Sequence, residues 1–413
     1  MPARPFATSV VKKLSDAGHV AYFAGGWVRD FLMKRRSDDI DIATSASVEE
    51  IQNLFPKTIP VGVSFGIVIV VEEGHQFEVA TFRKDRGYVD GRRPTGIDPA
   101  DPKEDALRRD FTINGMFYDP LTEKLYDYVE GQKDIEKGVI RAIGNPHERF
   151  LEDRLRMMRA VRYSTRFDFP IEPATYQAIL DHASSLLPSV AMERIWQEFK
   201  KMSHFAHFDL GLLALHRLNL LPTIFPVLKG TSSEEIEKRL APLSSYPPEC
   251  PAIAELIELF PNHSLEQLLE LCDYLKLSRQ EREFVTFFHR AKELLSMPQE
   301  WLQNLEKIEW AQYYANPSSY LCIQIFSAHL LEEKREAFVQ THYQRMQELL
   351  PFIHRIRSQT PIVKSEHLMQ NGVQPGKKMG ALLKEAERIS VNLGIEDPVR
   401  IIDLLKNSSL WHN

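Results

Sequence analysis

Cysteine is scarce: Cys250, Cys272 and Cys322 are the only three in 413 residues. Set far apart, they exclude a disulfide framework and a cysteine metal knuckle, and they fit a reducing compartment, the cytoplasm. No apolar run approaches the roughly 18 residues of a membrane span, and the opening MPARPFATSVVKKL lacks the apolar core of a signal peptide. No membrane partner is expected. Charge of one sign is also missing. Lys and Arg number 51 against 57 Asp and Glu, a formal charge of −6, so nothing global attracts a polyanion and any nucleic-acid surface must be local. Fixed-period repeats and low-complexity segments are absent too, and the prolines of the middle suggest short connectors between helices rather than disordered linkers.

What is present is enough apolar residue, 43%, to bury cores in two to four domains. The first 120 or so residues carry β-rich stretches, VAYFAGG (20–26), DDIDIAT (38–44), GIVIVVEEG (66–74) and QFEVATFR (76–83), with helical spacing in SVEEIQNLF (47–55). From about 145 onward the pattern turns helical, in HERFLEDRLRMMRAVRY (147–163), AMERIWQEFKKM (191–202), SLEQLLELCDYLKL (264–277) and KKMGALLKEAERI (377–389). An α+β head over 1–140 followed by all-α segments over 141–208, 209–350 and 351–413 is expected.

In the first stretch, an apolar run meets Gly25-Gly26, and after a short helical segment come Asp39-Ile40-Asp41. Strand alternation would place Asp39 and Asp41 on one face. Two adjacent carboxylates repel unless a cation neutralises them, and hard oxygen ligands so spaced suit Mg²⁺ shared with substrate phosphates. Gly25 and Gly26 would let a triphosphate approach the backbone and the start of the following helix, with Arg29 one turn in. A pair of carboxylates holding two Mg²⁺ ions at an in-line displacement is the arrangement that nucleotidyl transfer uses.

At these residues the chain resembles the nucleotidyltransferase superfamily. More narrowly, GGWVRD…DDIDIAT is similar to the first motif of class II tRNA nucleotidyltransferases and bacterial poly(A) polymerases. The resemblance implies a polymerase beta-like mixed-sheet head followed by helical neck, body and tail, and Glu78 as a third catalytic carboxylate. RRDFTIN (108–114), expected in a mostly helical stretch, resembles the family's second motif; it implies that Arg109, Asp110 and Asn114 shape the ribose and phosphate side of a nucleotide site. Gly115 stands where the family usually has Ala or Ser. EDRLRMMRAVRY (152–163) resembles EDxxRxxRAxRF, with Tyr163 in place of Phe. There Asp153 and Arg156 would read the Watson-Crick edge of the incoming base, and Arg159 and Arg162 would hold its triphosphate. The residue types suit that task. A carboxylate accepts from the exocyclic amine that cytosine and adenine present and uracil lacks, while guanidinium donates to ring acceptors.

The polar segment 82–105, including DGRRP, is expected to be a loop, and in CCA-adding and A-adding enzymes the loop at this place is needed to accept ATP after CTP. Lys377 and Lys378, after a Gly- and Pro-containing turn, are candidates for an RNA phosphate. His204 and His207 lack a third ligand and are expected at the surface. The resemblance implies a template-independent enzyme that adds C, C and A to the 3′ end of tRNA from CTP and ATP. An A-adding tRNA enzyme and a poly(A) polymerase share every motif above, and a non-catalytic RNA-binding relative would lack the carboxylate pair.

Overall fold

The computed structural model describes residues 3–88 and 94–412 and forms two compact units, one through Lys238 and one from Arg239. The first unit opens on a seven-stranded sheet made of β1 (Ala21–Ala24), β2 (Asp41–Thr44), β3 (Thr58–Ile59), β4 (Ile67–Glu72), β5 (His75–Thr81), β8 (Met116–Asp119) and β9 (Lys124–Asp127), in the order β3-β4-β5-β2-β1-β8-β9. β6 (Arg83–Tyr88) and β7 (Pro94–Pro99) form a separate hairpin. All pairings are antiparallel except that of β2 with β5. Helices α1 (Arg4–Asp16), α2 (Gly26–Leu32), α3 (Val48–Leu54), α4 (Pro102–Leu107) and α5 (Gly131–Lys137) complete the head.

One face of the sheet is a conventional apolar layer. Phe23, Ile42, Val68, Val70, Phe77 and Val79 alternate into it, and α1 closes it with Ala7, Val10, Val11 and Leu14, a stripe at helical spacing. The other face is mixed: Phe117 and Tyr22 pack with Ala24 and Ala43 in a second, smaller apolar cluster, and the strand residues that border the cleft include small ones. Ala24, Ala43 and Ala80 stand on three adjacent strands, with Ala43 paired in register to Ala80. Alanine is a poor strand former; at Ala24 and Ala43 the small side chain makes room for Phe82 and Phe117, which pack against them.

Helices α6 (Pro146–Glu152), α7 (Leu155–Phe167), α8 (Pro173–His182), the one-turn α9 (Leu186–Ser189), α10 (Met192–Ser203), α11 (Phe208–Arg217) and α12 (Leu220–Ile224) follow in the first unit, which ends within the helix Ser233–Leu240. α7 buries Met157, Met158, Val161 and Phe167. The second unit is helical, with long elements at Arg279–Leu295, Glu332–Glu348 and Lys377–Leu393; capping boxes open Leu265–Tyr274 (Ser264 with Gln267) and Arg279–Leu295 (Ser278 with Glu281). Val363, Leu368, Leu382, Ile401 and Leu405 form its last core. Among the described residues no helix is long and apolar enough to cross a membrane. The α+β head followed by helical segments is as expected.

Four local expectations are corrected. The helical pattern over 147–163 is two helices, because Asp153 is extended (φ −143°, ψ 104°) and its carboxylate accepts the Leu155 N–H at 3.1 Å, starting a new helix. The periodicity runs through the break unmarked. Residues 82–105 are not one loop: β6 and β7 pair with Arg83 opposite Pro99 and Lys84 opposite Asp98, then Asp101 caps α4. A hairpin without a buried face needs no apolar alternation, and prolines are tolerated where both strands are edges. Val89 to Arg93, hence most of DGRRP, lie outside the described residues. RRDFTIN is a turn, an isolated bridge from Phe111 to Ala142 and a 3₁₀ turn at Thr112–Asn114 rather than mostly helix. Strand β2 starts only at Asp41, so Asp39 precedes it.

Gly115 fits its surroundings tightly. A Cβ there would lie 2.7 Å from Val129 Cγ2 and 3.0 Å from Ile143 Cδ1. Gly115→Ala should therefore destabilise the head by about 1–3 kcal/mol through overpacking, and Val129→Ala in the same chain should recover part of that loss, both read as shifts of the urea unfolding midpoint. Additive losses in the double variant would show that the two positions do not share the space.

Candidate active site

β1 ends at Ala24, and the chain turns at Gly25 with φ +64° and ψ −123°, a conformation that disfavours any residue with a side chain. A Cβ at Gly25 would also lie 3.1 Å from the Arg109 guanidinium. α2 then starts at Gly26. Next to β1, the antiparallel β2 sets Asp41 opposite Ala24. In the parallel pairing of β2 with β5, Ile42 stands opposite Val79, so Asp41 and Glu78, one residue earlier on each strand, share a level and a face. Asp39 joins them from the segment leading into β2.

Asp39, Asp41 and Glu78 line one cleft of about 780 Å³. Burial, then the neighbouring Glu78 and Asp39, push the Asp41 carboxyl up to about 7, with Arg109 pulling the other way. Among the described residues no group of three or more acidic, His or Cys side chains is arranged to enclose a metal. The donor set nevertheless fits Mg²⁺: it is all oxygen, it faces an open cleft, and it carries more negative charge than its surroundings neutralise. That ion commonly keeps water and substrate phosphates in its shell and needs only one or two protein carboxylates.

The same cleft is lined with arginines, each held by a partner. Asp110 Oδ2 accepts from Arg159 Nη2 and Nε at 2.5 and 2.8 Å, and Asp110 Oδ1 accepts from the Asn114 amide at 3.1 Å. The Asn114 Oδ1 accepts from Arg29 at 2.6 Å, Arg29 also donates to Asp30 at 2.9 Å, and Arg166 donates to the other Asp30 oxygen at 3.0 Å. Burial would raise the Asp110 carboxyl, but Arg159 and the hydrogen bonds win and hold it at about 2. Arg162 is paired with buried Glu198 of α10 at 2.6 Å. Arg108 and Arg109 share Asp105, whose carboxyl is held below its ordinary range by them in spite of burial. Two stacked rings, Tyr163 and Phe167, form the apolar backing: Arg29, Arg159 and Arg162 face Tyr163, while Arg29, Arg35 and Arg166 face Phe167.

At the break between α6 and α7, Asp153 receives Arg194 of α10 at 3.0 Å. Arg156 donates to Glu152 at 2.7 Å, to the Arg149 carbonyl at 3.2 Å and to the Arg108 carbonyl at 3.1 Å. Asp153 and Arg156 thus lie side by side with separate partners. Arg156 keeps further N–H groups of its guanidinium for a ligand.

Every candidate residue read from the sequence, Gly25, Gly26, Arg29, Asp39, Asp41, Glu78, Arg109, Asp110, Asn114, Asp153, Arg156, Arg159 and Arg162, borders this one cleft. The cleft also takes in residues the sequence did not single out as site residues: the three sheet alanines, Arg83, Arg166, Arg194 and Lys201. Alanine on strands that would rather hold Val was the one available signal for the first three. His204 and His207 are exposed, as expected. Lys378, in contrast, donates to the Trp411 carbonyl at 2.8 Å.

Residues 21–141 match the family described as Poly A polymerase head domain, and residues 168–230 the one described as Probable RNA and SrmB- binding site of polymerase A. The chain is similar over 410 residues to the CCA-adding enzyme of Pediococcus pentosaceus, 34% identical and covering 98% of this chain and 95% of that one. A CCA-adding enzyme of Enterococcus faecalis is 46% identical over 197 residues, 48% of each chain. Among solved structures, the Bacillus stearothermophilus CCA-adding enzyme in complex with CTP aligns with a TM-score of 0.81 at 26% identity, covering 98% of both chains. The Thermotoga maritima CCA-adding enzyme complexed with tRNA shares the fold, with a TM-score of 0.65 at 22% identity over 96% of this chain and 93% of that one.

The Asp110 pairing has a pH signature. Its folded-state pKa lies below the ordinary 3.8, so its stabilisation is complete above about pH 4 and is lost as pH falls toward 2. The depression corresponds to about 2 kcal/mol at 1.36 kcal/mol per unit. Asp110→Asn should be less stable than the parent by at least that amount at pH 6, and the gap should narrow on going to pH 3, as read by urea unfolding. A gap that stays constant with pH would remove the charge pair as its cause.

Proposed function

The chain is a nucleotidyltransferase of the CCA-adding enzyme family, and from that premise we propose that it extends the 3′ end of tRNA by C, C and A without a template, taking CTP and ATP and releasing pyrophosphate. The observation that carries this reading is the meeting, in one cleft, of a carboxylate cluster on the sheet with arginines and an Asp-Arg edge on the helical side. Asp39 and Asp41, beside Glu78, would hold Mg²⁺, which when bound supplies positive charge that eases ionisation of a terminal hydroxyl and screens the leaving pyrophosphate.

The protein's own groups then have separable tasks. Gly25 lets the backbone come close to phosphate at the start of α2. Arg109, Arg159 and Arg162 bind the nucleotide's ribose and triphosphate, and because each is pre-oriented by a carboxylate, little side-chain freedom is lost on binding. Arg29 lies buried in the ion-pair chain and acts by holding Asn114 as much as by touching phosphate. Asp153 accepts from the exocyclic amine of cytosine or adenine, and Arg156 donates to the ring acceptors of the base. The segment from about residue 351, with Lys377 exposed at the start of a helix, is assigned to tRNA contact.

The match of residues 21–141 to a Poly A polymerase head domain favours a second reading, tail synthesis with ATP alone, and one assay separates the two. Three transcripts of one tRNA, ending at the discriminator base, after C and after C-C, are incubated with Mg²⁺ and labelled CTP, ATP or both. C-C-A addition to the bare end followed by arrest supports the proposal. A single A on the C-C end alone makes this an A-adding enzyme, and a long A ladder on any RNA makes it a poly(A) polymerase.

Two variants test the residue roles. Asp41→Ala should reduce incorporation by at least a thousandfold, about 4 kcal/mol of lost transition-state stabilisation, with tRNA affinity within twofold of the parent; normal turnover would remove the metal assignment. Arg156→Ala should raise misincorporation of UTP relative to CTP by about tenfold, the effect of about 1.4 kcal/mol, while the CTP KM changes less. Unchanged discrimination would take base reading away from Arg156.

A further inference from the structure

We propose that the turn Lys34-Arg35-Arg36 grips the last phosphates of the RNA strand being extended, an inference that rests on the reading of the cleft as a tRNA 3′-extension site. All three side chains are exposed. The turn carrying them is rigidly built. Lys34 adopts φ +57° and donates its N–H to the Phe31 carbonyl at 3.0 Å, Arg35 donates to the Asp30 carbonyl at 2.8 Å, and the Trp27 indole N–H holds the Ser37 carbonyl at 3.1 Å. The Arg35 guanidinium rests 5.1 Å above the Phe167 ring, which also receives Arg29 and Arg166 from the cleft at 4.7 and 4.9 Å. Positive charge therefore continues from the cleft lining out to the turn.

The difference between the two regions is compensation. Arg29, Arg109, Arg159, Arg162, Arg166 and Arg194 each have a carboxylate partner. Among the described residues none of Lys34, Arg35 and Arg36 is in an ion pair. Three neighbouring cations left unpaired in a chain of net charge −6 repel one another, and a phosphate backbone is the ligand that turns this repulsion into attraction.

Chain length places them. Arg36 is three residues before Asp39, so their Cα atoms lie within about 11 Å. An RNA strand with its 3′-hydroxyl at the carboxylates has its terminal phosphates within that reach. The nucleotide's own phosphates already meet Arg109, Arg159 and Arg162 inside the cleft, whose lining does not include the turn.

The test uses the double variant Lys34→Gln/Arg36→Gln in the full chain, leaving Arg35 because it packs on Phe167. Affinity for tRNA lacking C-C-A is measured from about 50 to about 200 mM salt. The slope of log K against log salt should become shallower by about 1.4, roughly 0.7 for each lost single-strand phosphate contact, with severalfold weaker binding at the low end and an unchanged CTP KM at saturating tRNA. A slope equal to the parent's overturns the proposal, and so does a raised CTP KM with intact tRNA affinity, which would assign the turn to nucleotide phosphates. Failure of the tRNA reading itself is seen separately, as absence of incorporation by the unaltered protein.

Discussion

Asp110 takes Arg159 on one oxygen and Asn114 on the other, Asn114 takes Arg29, and Arg29 and Arg166 divide the two oxygens of Asp30. Along this chain the sheet head is tied to α7 at two points, Arg159 and Arg166, which stand two turns apart on the helix. Arg29, Asp30, Asp110 and Asn114 are all less than a tenth exposed. Buried ion pairs seldom stabilise more than apolar residues of like size would, but breaking one leaves an uncompensated charge and costs about 3–5 kcal/mol. The chain's contribution is therefore geometric: no sliding or rolling of α7 over the head is possible without opening several of these bonds together. The positions of Arg159, Arg162 and Tyr163 over the cleft follow from it.

The carboxylates of the cleft follow the reverse rule. Asp39, Asp41 and Glu78 accumulate negative charge, and Asp41 responds by holding its proton more tightly. The arginines are thus electrostatically compensated and the carboxylates are not. A site so divided can accept a cation and a polyanion together at modest cost, since the arginines need no reorganisation and the carboxylates gain what they lack. Beside Asp41 and Glu78 the same sheet face carries Ala24, Ala43 and Ala80, small residues that border the cleft.

Much of this was readable residue by residue. Asp39 and Asp41 announce themselves because paired carboxylates beside a glycine turn make poor structural sense without a cation. The arginines of α7 do so because three of them recur at a spacing of three beside an apolar stripe. Local patterns failed where the determining partner was distant. Nothing around Asp153 marks the helix break, whose anchor Arg194 lies some forty residues on and whose cap depends on a single backbone N–H. The hairpin of β6 and β7 escaped because strands without a buried face leave no alternation to find. The pairing of Asp30 with Arg166 at 3.0 Å joins residues 136 apart in the chain, which no local pattern marks.

By itself the sequence determined the composition of the site, the kinds of groups available and the segments that carry them, since chemistry at this level belongs to residue type and short spacing. It also determined the division into an α+β head and helical remainder, because periodicity is a local property. Only the tertiary structure decided which carboxylate each arginine serves, that Glu78 stands level with Asp41, that Asp39 joins from outside the strand, and that three alanines border the cleft. Those facts depend on strand register and on pairings between residues far apart in the chain, and a register or a long-range ion pair is set by the packing of the whole domain rather than by neighbours in sequence.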